Sequence, residues 1–179
     1  MPNYIEESGM HFIAENAFYI EKSAPYIPLK GSGIKSVEFI RIRNHDLLFV
    51  EAKTSIANPG NPDVENLKKF NTEIEDICDK FIHSLNLFSA IMVGVKKETL
   101  PIVFDSADQL SLMLILVVKD HDLKWCKPVQ QKLQRILPEY FKKIWKPVVH
   151  VINHDAAIKH GIAIEIKEPP YGSLNPNRT

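Results

Sequence analysis

The chain has 179 residues, 45% of them apolar, enough for one domain with a substantial core. Its 22 Lys and Arg balance 22 Asp and Glu, so any attraction for a polyanion must be local. No apolar run is long enough to span a membrane, the stretch from Leu110 to Val118 being strand-sized, and MPNYIEESGM lacks the basic and apolar regions of a signal peptide.

Phe12 to Ile20 reads as a strand, or as two strands broken at Glu15-Asn16. Ser23 to Gly33, with Pro25, Pro28, Gly31 and Gly33, is a loop. Val37 to Ile42 and Leu47 to Ala52 are rich in Val, Ile, Leu and Phe and form a hairpin about Asn44-His45. The loop from Ile56 to Asp63 (IANPGNPD) is placed to lie over the end of that hairpin. A long helix then starts near Asp63, its apolar positions recurring every three or four residues as far as Phe88. KKETLP is a loop, and Leu110 to Lys119 is a buried central strand. A helix follows from Pro128 to Trp145, interrupted at Pro138. Val148 to Ile152 is a strand, and His154 to His160 is a short helix closed by Gly161. The expectation is a single α/β domain over residues 1–168, a central mixed β-sheet flanked by helices on both sides. Residues 169–179, with Pro169, Pro170, Gly172 and Pro176, form a flexible tail. Cys78 and Cys126 are isolated, without metal-binding spacing, and read as buried thiols of a cytoplasmic protein.

The hairpin holds the most informative residues. With Asn44 and His45 as the turn, Arg43 faces Asp46, Ile40 faces Phe49 and Glu38 faces Glu51. Directly opposed residues lie about 4.5–5.5 Å apart at Cβ, so the two carboxylates repel each other unless a cation lies between them. Lys53 shares their face. Ile40, Ile42, Leu47 and Phe49 continue that face, while Val37, Phe39, Leu48, Val50 and Ala52 form the other. Two acids and an amine beside apolar strands suit a hard divalent cation, which takes one or two carboxylates plus water and phosphate. The plain alternative is a set of solvated charges at a strand end.

The stretch VEFIRIRNHDLLFVEAK resembles the core hairpin of the PD-(D/E)XK nuclease superfamily, the restriction-endonuclease-like fold. The resemblance implies metal ligation by Glu38 and Glu51, completed by the backbone carbonyl of Ala52. It implies water activation by Lys53, Mg²⁺ or Mn²⁺ as cofactor, and hydrolysis of phosphodiester bonds, DNA being the expected substrate. Glu38 stands where the family usually has Asp, and no Pro precedes it. Many members add an acid from an upstream helix; Glu21 and Glu15 are the candidates here. The superfamily also contains inactive members, so the alternative is a catalytically inactive module that binds nucleic acid or a protein partner, with homodimerisation left open.

The charge distribution is uneven. Between Lys124 and Lys146 lie seven basic residues (Lys124, Lys127, Lys132, Arg135, Lys142, Lys143 and Lys146) and one acid, Glu139, interleaved with Trp125, Tyr140, Phe141 and Trp145. Such a run attracts phosphate backbones; it also suits a solvated amphipathic helix with Phe141 and Trp145 turned to the core. His150 and His154 have helical metal-pair spacing, but His150 lies in an expected strand. Lys80 and His83 on the long helix are placed to project toward the pocket edge; lone residues of this kind also serve as surface or core fillers. No nucleophile elbow, Walker loop or dinucleotide-binding glycine motif is present.

Overall fold

Two largely apolar stretches lie side by side as central parallel strands, DLLFVEAK over Asp46–Lys53 and SLMLILVV over Ser111–Val118. Both are covered on both faces, as parallel strands are. The structure is a computed structural model and describes residues 3–106 and 109–166; the segment expected to be a flexible tail lies outside them. In chain order the strands are β1 (Tyr4–Glu7), β2 (Met10–Ile13), β3 (Ala17–Phe18), β4 (Phe39–Arg43), β5 (Asp46–Lys53), β6 (Ser111–Val118), β7 (Val148–Asn153) and β8 (Ala163–Ile164). The helices are α1 (Val64–Met92), α2 (Leu123–Ile136), α3 (Glu139–Trp145) and α4 (His154–Lys159).

One sheet has the order β3-β4-β5-β6-β7, antiparallel from β3 to β5 and parallel from β5 to β7. The parallel pairs follow from the crossovers through α1 and through α2 with α3. A second, antiparallel sheet has the order β1-β2-β8. The molecule is thus an α/β single domain around a mixed sheet. Its two faces are covered differently. On one face Ile40, Phe49, Leu114 and Leu116 pack with Phe70, Ile74, Ile77 and Phe81 of α1 and Val129 and Leu133 of α2. On the other, Phe39, Leu48, Val50, Ile115 and Val117 pack with Met10 and Phe12 of β2 and Ala157 of α4. Helices thus lie on both sides as expected, but on the second face the cover is one short helix together with the small sheet.

From Arg43 opposite Asp46 through Ile40 opposite Phe49 to Phe39 opposite Val50 the hairpin register is as the sequence predicts, but the expected pairing of Glu38 with Glu51 lies beyond the ladder. Asn44 takes a positive φ of 56°, a conformation Asn tolerates better than most residues. Strand β4 begins only at Phe39, and the last rung is the Glu38 N–H donating to the Val50 carbonyl at 3.1 Å. Val37 consequently breaks the alternation. Its N–H donates to the buried Ser84 Oγ of α1 at 2.8 Å, and its side chain packs on the α1 face, not with Phe39.

The region read as one strand or two from Phe12 to Ile20 is two strands, and they belong to different sheets. Helix α2 starts at Leu123, five residues before the expected Pro128. Asp122 caps it by accepting from the Lys124 N–H at 3.1 Å, which outweighs the one backbone hydrogen bond that Pro128 forgoes. Pro138 does interrupt the helix and serves as the N-cap of α3.

Candidate metal and active site

The site forms where β4 stops and β5 continues. Glu38 and Glu51 lie at this end on the α1 face and are both withdrawn from solvent, Glu51 completely and Glu38 with 6% exposure. Such burial is costly for carboxylates unless cations or protons accompany them. Helix α1 supplies a cation: Lys80 Nζ lies 2.7 Å from Glu51 Oε1 and 4.0 Å from Glu38 Oε1. Lys53 Nζ lies 3.6 Å from the same Glu51 oxygen and 4.0 Å from Asp76 Oδ2 of α1. Asp76 and Asp79 in turn hold Lys35, at 3.2 and 2.8 Å. Opposite charges thus alternate across the seam between the hairpin and α1. Within it, Glu38 Oε2 and Glu51 Oε2 are buried without a hydrogen-bond partner.

These surroundings decide protonation. Burial pushes the Glu38 carboxyl up to about 9, with the hydrogen bond to Glu21 and the charge of Glu51 acting in the same direction. Burial also raises Glu51, to about 7, against the opposing pull of Lys80 and Lys53. Burial would raise Glu21 too, but its hydrogen bond with Glu38 and the charge of Lys30 bring it below the ordinary carboxylate value. Without a further cation, burial and the neighbouring carboxylates therefore favour the protonated form of Glu38, beside Glu21.

Of the two upstream candidates, Glu21 joins the site and Glu15 does not. Glu21 lies in a short 3₁₀ turn, Ile20–Lys22, and its N–H donates to the Glu38 carbonyl at 3.4 Å. The buried Ile20 fixes that turn against the core. Glu15 is exposed and gives only its backbone carbonyl, to Arg41 Nε. A further acid, Glu7 at the end of β1, completes a group: ligand oxygens of Glu7, Glu21 and Glu38 all lie within 4.8 Å of one another. Among the described residues this is the one cluster of three metal-ligating side chains. The β1–β2 hairpin that carries Glu7 also sends Ser8 Oγ to the Ala52 carbonyl at 3.0 Å. The carbonyl expected to complete a metal shell therefore already accepts one hydrogen bond. Beside Glu7 a cavity of about 480 Å³ opens between β1, Tyr19 and Lys22.

Three partners escaped the sequence reading in whole or part. Glu7 lies in a hairpin that was not expected, although Ser8-Gly9 between apolar runs is a turn signal. Asp76 offers no signal of its own. Lys80 stands three residues after Ile77 and one before Phe81, at the border of the buried stripe of α1, where a charged residue needs a buried partner. His83 does not reach the acids; its Nδ1 accepts the Lys35 N–H at 3.1 Å.

The basic run is not gathered at this site. Lys53 lies opposite Val118 at one end of the sheet, α2 starts just beyond Val118, and the chain returns to Val148 at the other end, opposite Met113. Lys124, Lys127, Lys132, Arg135, Lys142 and Lys143 are strung along that return. Lys124 is paired with Asp122 at 3.1 Å and Lys142 with Glu139 at 2.5 Å. Phe141 is buried as expected, but Trp145 is 41% exposed, because α3 lays only one side on the core. His150 and His154 belong to no metal-binding group among the described residues. The Ile56–Asp63 segment is tied to α1 through the Ala57 N–H on Glu73 and the Asn66 side chain on the Asn58 carbonyl.

A scan of protein-family models, a search of curated proteins and a search of solved structures find no match to this chain. Among the described residues no helix is long and apolar enough to cross a membrane.

Proposed function

We propose that this protein is a Mg²⁺- or Mn²⁺-dependent phosphodiesterase of the PD-(D/E)XK kind, acting on DNA. The observation that carries the reading is the convergence of Glu38 and Glu51, both buried and each with one unpartnered oxygen, beside Lys53. Two spare carboxylate oxygens at a strand end fit a hard cation, and Glu21, which offers an oxygen within 4.8 Å of one of Glu38, would add to them. A divalent ion held there would supply positive charge against the phosphate and a more acidic water. Glu38 and Glu51 would surrender any bound proton to hold it. Lys53, a third exposed, stands on the solvent side of Glu51, where its ammonium would orient water and phosphate. Lys80 would have to leave Glu51 or share it. The buried, unpaired Cys78 and Cys126 fit a reducing cytoplasm; burial lifts both thiols above their ordinary range, Cys78 to about 11.

A second reading is favoured by Lys80 itself. Its ammonium already neutralises Glu51 at 2.7 Å, as in a non-catalytic module on the same scaffold. Two experiments separate the readings. Plasmid and linear DNA are incubated with the protein and Mg²⁺ or Mn²⁺, beside Lys53→Ala and Glu51→Gln. Metal-dependent cleavage lost in both variants supports the enzyme. Calorimetric titration with Mn²⁺ in the presence of DNA that yields no binding supports the module.

A further inference from the structure

We propose that the cavity under Arg43, on the sheet face opposite Glu51 and at the other end of the strands, binds a small organic oxyanion with an apolar body. This site is independent of the phosphodiesterase reading. Its volume is about 240 Å³, somewhat below the roughly 300–1,000 Å³ of pockets for drug-sized ligands. A single ring with one anionic group is the scale it suits.

The lining has two parts. Ile115 of β6 and Ile152 of β7 form the sheet side, and Ile162, just before β8, closes the rim. The polar part is Arg43, His150 and His160, and among the described residues no carboxylate lines the cavity. Arg43 is held in place by donating Nη1 to the His160 carbonyl. Its Nε is buried with no hydrogen-bond partner, and among the described residues Arg43 has no ion pair. A guanidinium carries five donors in a rigid fork suited to carboxylate or phosphate. One that is anchored through Nη1 and, among the described residues, has no counter-ion lacks an acceptor for its remaining fork donors, and an oxyanion entering the cavity would supply it. Arg41, on the same strand face, is spent on the Glu15 and Gly161 carbonyls and adds positive charge nearby. The apolar wall would take the ligand's body and exclude water, which strengthens the charge contact.

The test uses the full chain and titration calorimetry with benzoate, phenyl phosphate, inorganic phosphate and uncharged benzyl alcohol. At least one aromatic anion is expected to bind saturably, shifting the NMR signals of His150 and His160, with benzyl alcohol silent. Inorganic phosphate is expected to bind more weakly than phenyl phosphate; equal affinity overturns the apolar body. Benzoate and phenyl phosphate together show whether carboxylate or phosphate is the preferred head. Arg43→Gln is expected to weaken binding about tenfold or more, and Ile152→Phe, which fills the cavity and spares Arg43, to do the same. Absence of binding by both aromatic anions to the unaltered protein overturns the proposal. So does equal binding of benzyl alcohol, or affinity unchanged in the folded variants.

Discussion

Lys80 Nζ lies 2.7 Å from Glu51 Oε1, and Glu51 has no exposure to solvent. The innermost acid of the site is thus neutralised by an amine from a helix, not from the hairpin that carries the acids. That pairing sets the terms on which any external cation enters. It also makes Lys80→Gln informative. Removing one like charge within about 4 Å of a cation should tighten Mn²⁺ binding roughly tenfold or more. Calorimetry on the two proteins checks this; weaker Mn²⁺ binding by a folded Lys80→Gln protein would falsify competition between the ammonium and the ion.

The same substitution has a price in stability when metal is absent. Breaking a buried ion pair typically costs about 3–5 kcal/mol. Glu51, freed of Lys80, would then take up a proton more readily, so the loss should be larger at pH 8 than at pH 5. Urea unfolding at both values measures it.

Glu38 gives a pH dependence with a definite sign. Its carboxyl is raised from 4.5 to about 9 in the folded protein, chiefly by burial. The folded state therefore binds more protons than the unfolded state between these values, and stability falls as pH rises. The contribution is fully present below about 4.5 and is lost through about 9. Glu51 acts in the same sense up to about 7, and His121, held down chiefly by burial, acts in the opposite sense nearer its ordinary 6.5. Between pH 7 and 9 Glu38 is the group to watch. Metal-free protein should lose at most about 1.4 kcal/mol per pH unit from this residue, and Glu38→Gln should flatten the slope. A parallel pair of stability–pH curves would show Glu38 to be ionised already at pH 7.

Lys53 is placed to affect chemistry more than folding. It is a third exposed and lies on the solvent side of Glu51. Lys53→Ala should leave the melting temperature nearly unchanged, since partly exposed ion pairs contribute little. It should lower DNA cleavage by about 10²-fold or more. Timed digestion under single-turnover conditions distinguishes this from a change in DNA affinity.

Ser84 holds the entry to the site. Its hydroxyl accepts the Val37 N–H at 2.8 Å, fully buried, immediately before Glu38. Ser84→Ala leaves that N–H unpaired and should destabilise the fold by about 1–3 kcal/mol. Hydrogen exchange at Val37 and Glu38 should rise with it; unchanged protection there would assign the anchoring to other contacts.

The hairpin and its register from Phe39 to Arg43 were legible because an apolar run on each side of Asn44-His45 admits one pairing that buries both strands; the expected pairing of Glu38 with Glu51 was not, because the ladder ends at Phe39 and Val50. The long helix was legible from its apolar period, whereas Glu21 was a candidate, beside Glu15, only through the family resemblance, which calls for an upstream acid. What was hidden depends on distant chain segments. Strand β8 has two residues, too few to carry a pattern, and takes its shape from β2. Glu7 and Lys80 reach the acids only after two separate elements have docked on opposite sides of the hairpin end. Helix α2 starts five residues before the Pro128 taken as its start because Asp122 caps it earlier.

Pairing of His11 with Ile164 joins segments about 150 residues apart, and loop closure over that distance is slow to pay back its entropy. During synthesis, Glu38, Glu51 and Lys80 can meet long before β8 exists to brace the hairpin that brings Glu7. A ribosome-bound chain can therefore hold the inner acid pair neutralised by its own amine while the outer acid still lacks its bracing strand, which delays assembly of the full carboxylate cluster until the domain is nearly complete.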